Sequence, residues 1–358
     1  MTILYPTQQK VLNEAKPSYL YELGTSSGKT LISIYHYLKH SKGEPLLIIM
    51  PPAKLKTGEW AEEISVVEKA ENVKIEYEQL SIGMLAKKWK EYEGYFVIFD
   101  EAHLIKNPTS QRGKAAMRLS KQSTNFVLLT ATAAATWEDT INYFILFGFY
   151  KNKTEFMRKH AIYEDLYLGD RVIKKPTDWK EKDKLKEKLR SFSVRKPTTY
   201  FVDLPDVTER FIPFKPSVEY KKIEKDRVLE TKEETILFDT YPKFLAGLRI
   251  YANQDDKLRY TEMLATGTNE NILIFYNFVK ERDELIKLAK KTNKKLFEVS
   301  GQNFNLPSAN ERKDLKNSIT IAQYQSGSAG IELQYCSQVI IYSPSYSYIN
   351  HTQALGRA

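Results

Sequence analysis

Cysteine is almost absent. Cys336 is the only one in 358 residues, so no disulfide can form within the chain, and this usage fits a reducing compartment. Long apolar runs are missing as well. The longest, Ile141 to Tyr150, is too short to span a bilayer. The opening MTILYPTQQK has no apolar stretch of signal-peptide length. Histidines are few. His36, His40, His160 and His351 show no metal-ligand spacing with Cys336 or with one another. His36 and His40 are four apart, but no Glu lies between them in a zinc-protease pattern, so a helix face accounts for them. No short repeat and no low-complexity tract is present. These absences argue against a disulfide-stapled scaffold, a membrane span and a zinc hydrolase. The expectation is a cytoplasmic protein with no membrane partner.

What is present is ordinary for a soluble globular chain: 42% apolar and 28% charged residues. The length allows two or three domains with real cores. The 23 tyrosines and 17 phenylalanines read as core and boundary residues, and Trp60 and Trp137 as packing anchors. Charge is uneven. Residues 151–200 hold fifteen Lys and Arg against eight Asp and Glu, which is +7 of the total +9. A basic segment points to a polyanionic partner. The mixed signs of Lys182-Asp183-Lys184-Leu185-Lys186-Glu187-Lys188 fit a solvated helix equally well.

Residues 1–147 alternate short apolar strands with helical patterns. Strands are expected at Ser18–Leu23, Pro45–Met50, Tyr95–Phe99 and Asn125–Leu129, with helices at Lys29–Lys39 and Ser110–Leu119. That is the rhythm of a doubly wound parallel sheet. Residues 148–207 are charged, contain Pro176 and Pro197 and lack strand alternation, so a helical insertion and linker is expected there. From 208 the rhythm returns, with strands at Asn271–Tyr276, Lys295–Val299, Ile319–Gln323 and Gln338–Tyr342 and a helix at Glu281–Lys290. The expected architecture is two α/β domains with a cleft between them.

Two segments carry the chemistry. In GTSSGKT, Gly24, Thr25, Ser26, Ser27 and Gly28 would cradle phosphates with backbone N–H groups at a helix N-terminus. Lys29 supplies a point charge for the phosphates and Thr30 a hydroxyl for Mg²⁺. The usual phosphate loop has a glycine where Leu23 stands, so alone this segment also fits an ordinary turn. In FVIFDEAH, Asp100 and Glu101 end an apolar run that reads as a buried parallel strand. Open α/β sheets bind ligands at that end of the strand. Asp100 can hold Mg²⁺ and Glu101 can orient and deprotonate the attacking water.

These motifs identify the chain as resembling a superfamily 2 helicase or translocase of the DEAH-box type, within it the Swi/Snf-like branch. The resemblance runs over nearly the whole length and implies two tandem RecA-like domains, ATP as cofactor and Mg²⁺. Tyr5-Pro6-Thr7-Gln8 resembles the adenine-reading motif, which puts Gln8 on the base. PLLIIMPPAKLKTGEW resembles the segment leading onto the nucleic-acid track, which implies contacts from Pro52, Ala53 and Lys54. LLTATA sits where the family couples hydrolysis to domain movement, so His103, Thr130 and Thr132 are coupling candidates; Ala131-Thr132-Ala133 replaces the usual Gly-Thr-Pro. RKPTTYFVDLP resembles the link into the second motor domain.

In the second half, NILIFYNF resembles the strand that opens the core of that domain, implying track contacts from Asn277 and Phe278. Gly301 with Glu311-Arg312 resembles another track-facing segment. QSGSAGIEL resembles the glycine-rich loop touching nucleotide and backbone. It assigns Ser326 and Gly327 to the track and Gly330 and Glu332 to the nucleotide; Glu332 stands where Asp or Asn is commoner. QALGRA matches the start of the arginine-finger motif, with Gln353 coupling and Arg357 stabilising the transferring phosphoryl group. The family has a second arginine three positions after Arg357, so a chain truncated within that motif is expected. The resemblance implies a monomeric motor on duplex DNA, and the compact chain suggests a phage or mobile-element origin. Two alternatives stay open: an RNA or single-strand helicase on the same fold, and a nucleotide-regulated clamp or loader that does not step.

Overall fold

Runs such as Leu46-Leu47-Ile48-Ile49-Met50 and Phe96-Val97-Ile98-Phe99 are apolar at every position, which suits strands covered on both faces. A computed structural model, describing residues 3–168, 171–203, 208–231, 234–324 and 333–345, places these runs in parallel strands. The chain divides into two compact units, Met1–Leu204 and Pro205–Ala358. Both belong to the α/β class.

The first unit runs α1 (Pro6–Glu14), β1 (Tyr19–Leu23), α2 (Lys29–His40), β2 (Leu46–Met50), α3 (Pro52–Thr57), α4 (Glu59–Glu71), β3 (Tyr77–Ser81), α5 (Leu85–Lys88) and β4 (Phe96–Asp100). It continues through α6 (Gln111–Gln122), β5 (Asn125–Thr130), α7 (Trp137–Leu146), α8 (Lys153–His160), β6 (Ala161–Leu168), β7 (Arg171–Trp179), α9 (Lys182–Arg190) and β8 (Ser193–Lys196). Six strands form one parallel sheet in the order β3-β2-β4-β5-β1-β8. Successive residues of a strand point to opposite faces, and here they enter two different cores. Leu47, Ile49, Val97, Phe99 and Leu128 pack on one side, and Leu46, Ile48, Met50, Phe96, Ile98, Val127 and Leu129 on the other. Each such side chain, once buried, contributes roughly 1.5–3 kcal/mol. Because the strands are parallel, the turns after β1, β2, β4 and β5 leave the same edge of the sheet.

The second unit contains α10 (Val218–Asp226), β9 (Val228–Glu230), β10 (Thr235–Leu237), α11 (Tyr241–Ile250), α12 (Gln254–Thr266), β11 (Ile272–Tyr276) and α13 (Val279–Lys291). It ends with β12 (Lys295–Val299), β13 (Phe304–Asn305), α14 (Ala309–Asp314), β14 (Ser318–Gln323) and β15 (Gln338–Ile341). Its sheet has the order β13-β12-β14-β11-β15, parallel except for the antiparallel edge strand β13. Two cores again flank the sheet, one on Ile272, Ile274 and Ile321, the other on Leu273, Phe275 and Ala322. A small separate cluster of Ile223, Leu229 and Phe238 joins α10 to the β9–β10 hairpin. Gly247 lets α11 approach it, since a Cβ there would sit 2.3 Å from the Phe238 ring.

The segment expected to be a helical insertion differs from that reading. Helices α8 and α9 are present, but between them β6 and β7 form an antiparallel hairpin. Alternation was hidden because apolar and charged residues come in adjacent pairs, Ile162-Tyr163 and Glu164-Asp165. Across the hairpin Glu164 faces Lys175 and Asp165 faces Lys174, opposite-charge pairs that favour this register. Pro176 is accommodated beside a register shift at Ile162/Tyr163, where a missing N–H is tolerated. The link does not leave the first unit at 148 either, because β8 pairs in parallel with β1. Among the described residues no helix is long and apolar enough to cross a membrane.

Candidate functional site

The turn after β1 carries Gly24 to Gly28. Gly28 has φ +73° and closes the turn onto α2, a backbone conformation glycine adopts without strain. Lys29 lies back across the loop, its Nζ donating to the carbonyls of Leu23 at 3.0 Å and Gly24 at 2.8 Å. The Ser27 hydroxyl donates to Gly24 O at 2.7 Å. Thr25 and Ser27 are buried and Ser26 is exposed; Thr30 is half-buried at the start of α2. Gln8 is buried against this loop. Its Nε2 donates to Ser27 O at 3.0 Å, and its Oε1 accepts from the Tyr5 N–H at 2.9 Å. Gln8, expected to read adenine, thus braces the glycine loop.

The loop has a second brace that the sequence did not announce. Gly24 N–H donates to Lys196 O at the end of β8. A Cβ on Gly24 would sit 2.3 Å from the backbone N of Thr198, so only glycine fits beneath that segment.

At the end of β4, Asp100 and Glu101 are both buried. Asp100 Oδ1 accepts from the Glu101 N–H at 3.0 Å. Asp100 Oδ2 accepts from the indole N–H of Trp60 at 3.0 Å and lies 2.6 Å from Lys54 Nζ. Burial opposes a charged Lys54, but Asp100 and Glu101 outweigh it and hold its pKa above the ordinary value. Lys54, expected on the nucleic-acid track, is therefore placed among the site carboxylates. The turn after β2 aims α3 at the same sheet edge, and a buried ammonium needs an anion there. Pro52 is exposed and Ala53 half-buried on the same helix.

Glu101 adopts φ +56°, a left-handed conformation uncommon for a residue with a side chain. It turns the chain into the short 3₁₀ helix Ala102–Ile105. His103 Nδ1 lies 3.3 Å from Glu101 Oε2. After β5, the Thr130 hydroxyl donates to Thr132 O at 3.1 Å and accepts from Thr132 N–H at 3.2 Å, closing the tight threonine turn. Tyr143 on α7 joins the two turns. Its buried hydroxyl lies 3.2 Å from Ala102 O and 3.0 Å from Ala133 O. Glu22 on β1 accepts from Ala133 N–H at 3.3 Å. Burial raises the Glu22 pKa, and Arg195 and that N–H pull it back only in part.

Sequence reasoning missed Tyr143, Glu22 and the bond from Trp60. The last had a signal: a tryptophan in a buried position has an N–H that needs an acceptor.

In the second unit Asn277 ends β11 and donates its amide to Ser343 O at 2.6 Å, tying the ends of β11 and β15 together. Phe278 lies under the Arg249 guanidinium at 5.0 Å. Gly301 is exposed. Arg312 donates to Pro307 O at 3.0 Å and lies over the Tyr335 ring. Ser326, Gly327, Gly330, Glu332, Gln353 and Arg357 lie outside the described residues. The lysines of α9 are matched by carboxylates: Lys182 with Asp178, Lys184 with Glu181, Lys186 with Asp183. Lys188 packs on Tyr150. The solvated-helix reading suits them.

No protein-family model and no curated protein matches this chain. Among solved structures it is similar to the Sulfolobus solfataricus SWI2/SNF2 ATPase core in complex with dsDNA. That similarity is 20% identical, covers 95% of this chain and 82% of that one, and has a TM-score of 0.46.

Proposed function

We propose that this chain is an ATP-dependent DNA translocase or helicase of the superfamily 2, Swi/Snf-like type. One observation carries the reading. The glycine loop with Lys29, the buried Asp100–Glu101 pair and the Thr130–Thr132 turn leave the same edge of three adjacent parallel strands, β1, β4 and β5. That edge is where open parallel sheets bind nucleotides.

The donor set of Thr30 hydroxyl and Asp100 carboxylate is oxygen only and suits a hard divalent cation such as Mg²⁺. Bound there, the cation would neutralise charge on the phosphates of ATP. The rest of the chemistry belongs to the chain. The loop N–H groups and Lys29 orient the phosphates. Lys54 and Trp60 fix the Asp100 carboxylate. Glu101 takes the proton of the attacking water, and His103 holds its far oxygen. Gln8 selects adenine. Arg357 stabilises charge that develops only in the transition state. Tyr143 ties the carboxylate turn to the threonine turn, so a change at one is felt at the other.

Two substitutions test the assignment. Lys29→Ala weakens ATP binding and abolishes turnover. Glu101→Gln keeps ATP affinity and loses hydrolysis by about a hundredfold or more, because water activation alone is removed. ATP binding by titration calorimetry and phosphate release with no nucleic acid, single-stranded DNA, duplex DNA and RNA read both effects. Unchanged ATP affinity in Lys29→Ala, or stimulation by RNA alone, contradicts the proposal. Triplex displacement separates stepping from clamping, since a clamp cannot strip a third strand processively.

A further inference from the structure

The first unit has a second concave site, none of whose lining residues is among the nucleotide-site candidates. A cavity of about 390 Å³ lies between α6 and the turn into α8. Lys114, Arg118 and Lys121 line it from α6, and Lys151 and Lys153 from the turn. Spacings of four and three residues put the three α6 cations on one face of the helix. No carboxylate lines the cavity. Lys153 pairs with Glu138 at 2.6 Å. The Glu155 carboxylate accepts from the Lys151 N–H at 2.7 Å and lies near its charge, but among the described residues no carboxylate forms an ion pair with Lys114, Arg118 or Lys121. The Arg118 guanidinium lies over the Trp89 ring at 5.4 Å, which restrains it in place.

We propose that this cavity binds the phosphodiester backbone of DNA, a contact that rests on the reading of the chain as a DNA motor. Five cations gathered with only two carboxylates beside them, Glu138 and Glu155, repel one another, and a polyanion relieves that repulsion. The α9 lysines, which the sequence singled out, are matched by local carboxylates, whereas Lys114, Arg118 and Lys121 form no such ion pair among the described residues. No aromatic ring lines the cavity, and its apolar walls are Pro108, Met117 and Ile145, so it offers charge with no stacking platform. Such a site holds phosphates without reading sequence. Its position outside the nucleotide-binding turns makes it an anchor rather than part of hydrolysis.

The experiment titrates fluorescent duplex DNA against salt, without nucleotide, for wild type, for K114Q/R118Q/K121Q/K151Q and for K182Q/K184Q/K186Q. Each phosphate contact contributes a slope of about 0.9 in log K against log salt. The cavity variant loses about three to four of those slope units and at least about tenfold in affinity at 0.1 M salt, while the α9 variant matches wild type. ATP turnover without DNA stays at the wild-type rate in both.

Should the cavity variant misfold, lysine acetylation of the wild-type protein gives the answer, with DNA protecting Lys114, Lys121 and Lys151. Tripolyphosphate is the second probe. Protection of these lysines by tripolyphosphate and not by DNA means a small polyphosphate site and overturns the proposal. An unchanged slope in the cavity variant overturns it as well, leaving the motor reading intact. No salt-dependent DNA binding by the wild type removes both.

Discussion

Lys54 shows what a residue's type reveals and what it conceals. The segment around it follows the strand expected at Pro45–Met50, and a lysine there reads naturally as a phosphate contact. Its buried pairing with Asp100 depends on the pitch of α3, which no local pattern encodes. The same holds for Trp60, whose burial was legible but whose acceptor was not. Lys54→Met leaves Asp100 and Glu101 buried without their cation. Removing one partner of a buried pair costs about 3–5 kcal/mol, so urea unfolding shows a loss of that order. Adding Asp100→Asn to Lys54→Met recovers part of it, because the unmatched charge is gone. If the single variant is as stable as wild type, Lys54 does not neutralise the pair.

At the scale of elements, strands apolar at every position were readable because both faces are covered. Strands β2, β4, β5 and β11 stand where the composition puts them. Strand β8 and the β6–β7 hairpin were not readable. β8 is four residues of mixed polarity, stabilised by its neighbour β1. The hairpin alternates charge across strands rather than polarity along them. Helix α7 was legible only as an apolar run, yet through Tyr143 it links the turns after β4 and β5. Tyr143→Phe removes the one hydroxyl proton shared between the Ala102 and Ala133 carbonyls while keeping the ring. Stability falls by about 1–3 kcal/mol, and kcat falls while ATP affinity stays near wild type.

Helix α2 carries a pH response. His36 is fully buried, with Tyr21 OH 2.8 Å from Nδ1 and Pro17 O 3.0 Å from Nε2, and burial lowers its pKa to about 3. The folded ring stays neutral while the unfolded one gains a proton below about 6.5. Stability is therefore present above pH 6.5 and declines as pH falls toward 3. Between pH 7 and 5 the wild type loses roughly 2 kcal/mol more than His36→Gln. Equal pH slopes in the two proteins refute the neutral-histidine account.

For the whole molecule, each unit has its own sheet with cores on both faces. A fragment ending at residue 204 is expected to unfold cooperatively and to bind ATP without DNA-stimulated turnover, since the resemblance assigns Arg357 to the other unit. Calorimetric melting and nucleotide titration of the fragment check this; an unfolded fragment refutes independent folding. The brace at Gly24 also bears on how the protein is made. The glycine loop leaves the ribosome well before its partner Thr198, which follows only after nearly all of the first unit. Contacts of such sequence separation form late and slowly. A nascent chain arrested before β8 emerges would carry every residue of the glycine loop and still lack the fixed loop. On the proposed reading, competence to hold ATP appears in a single late step of synthesis.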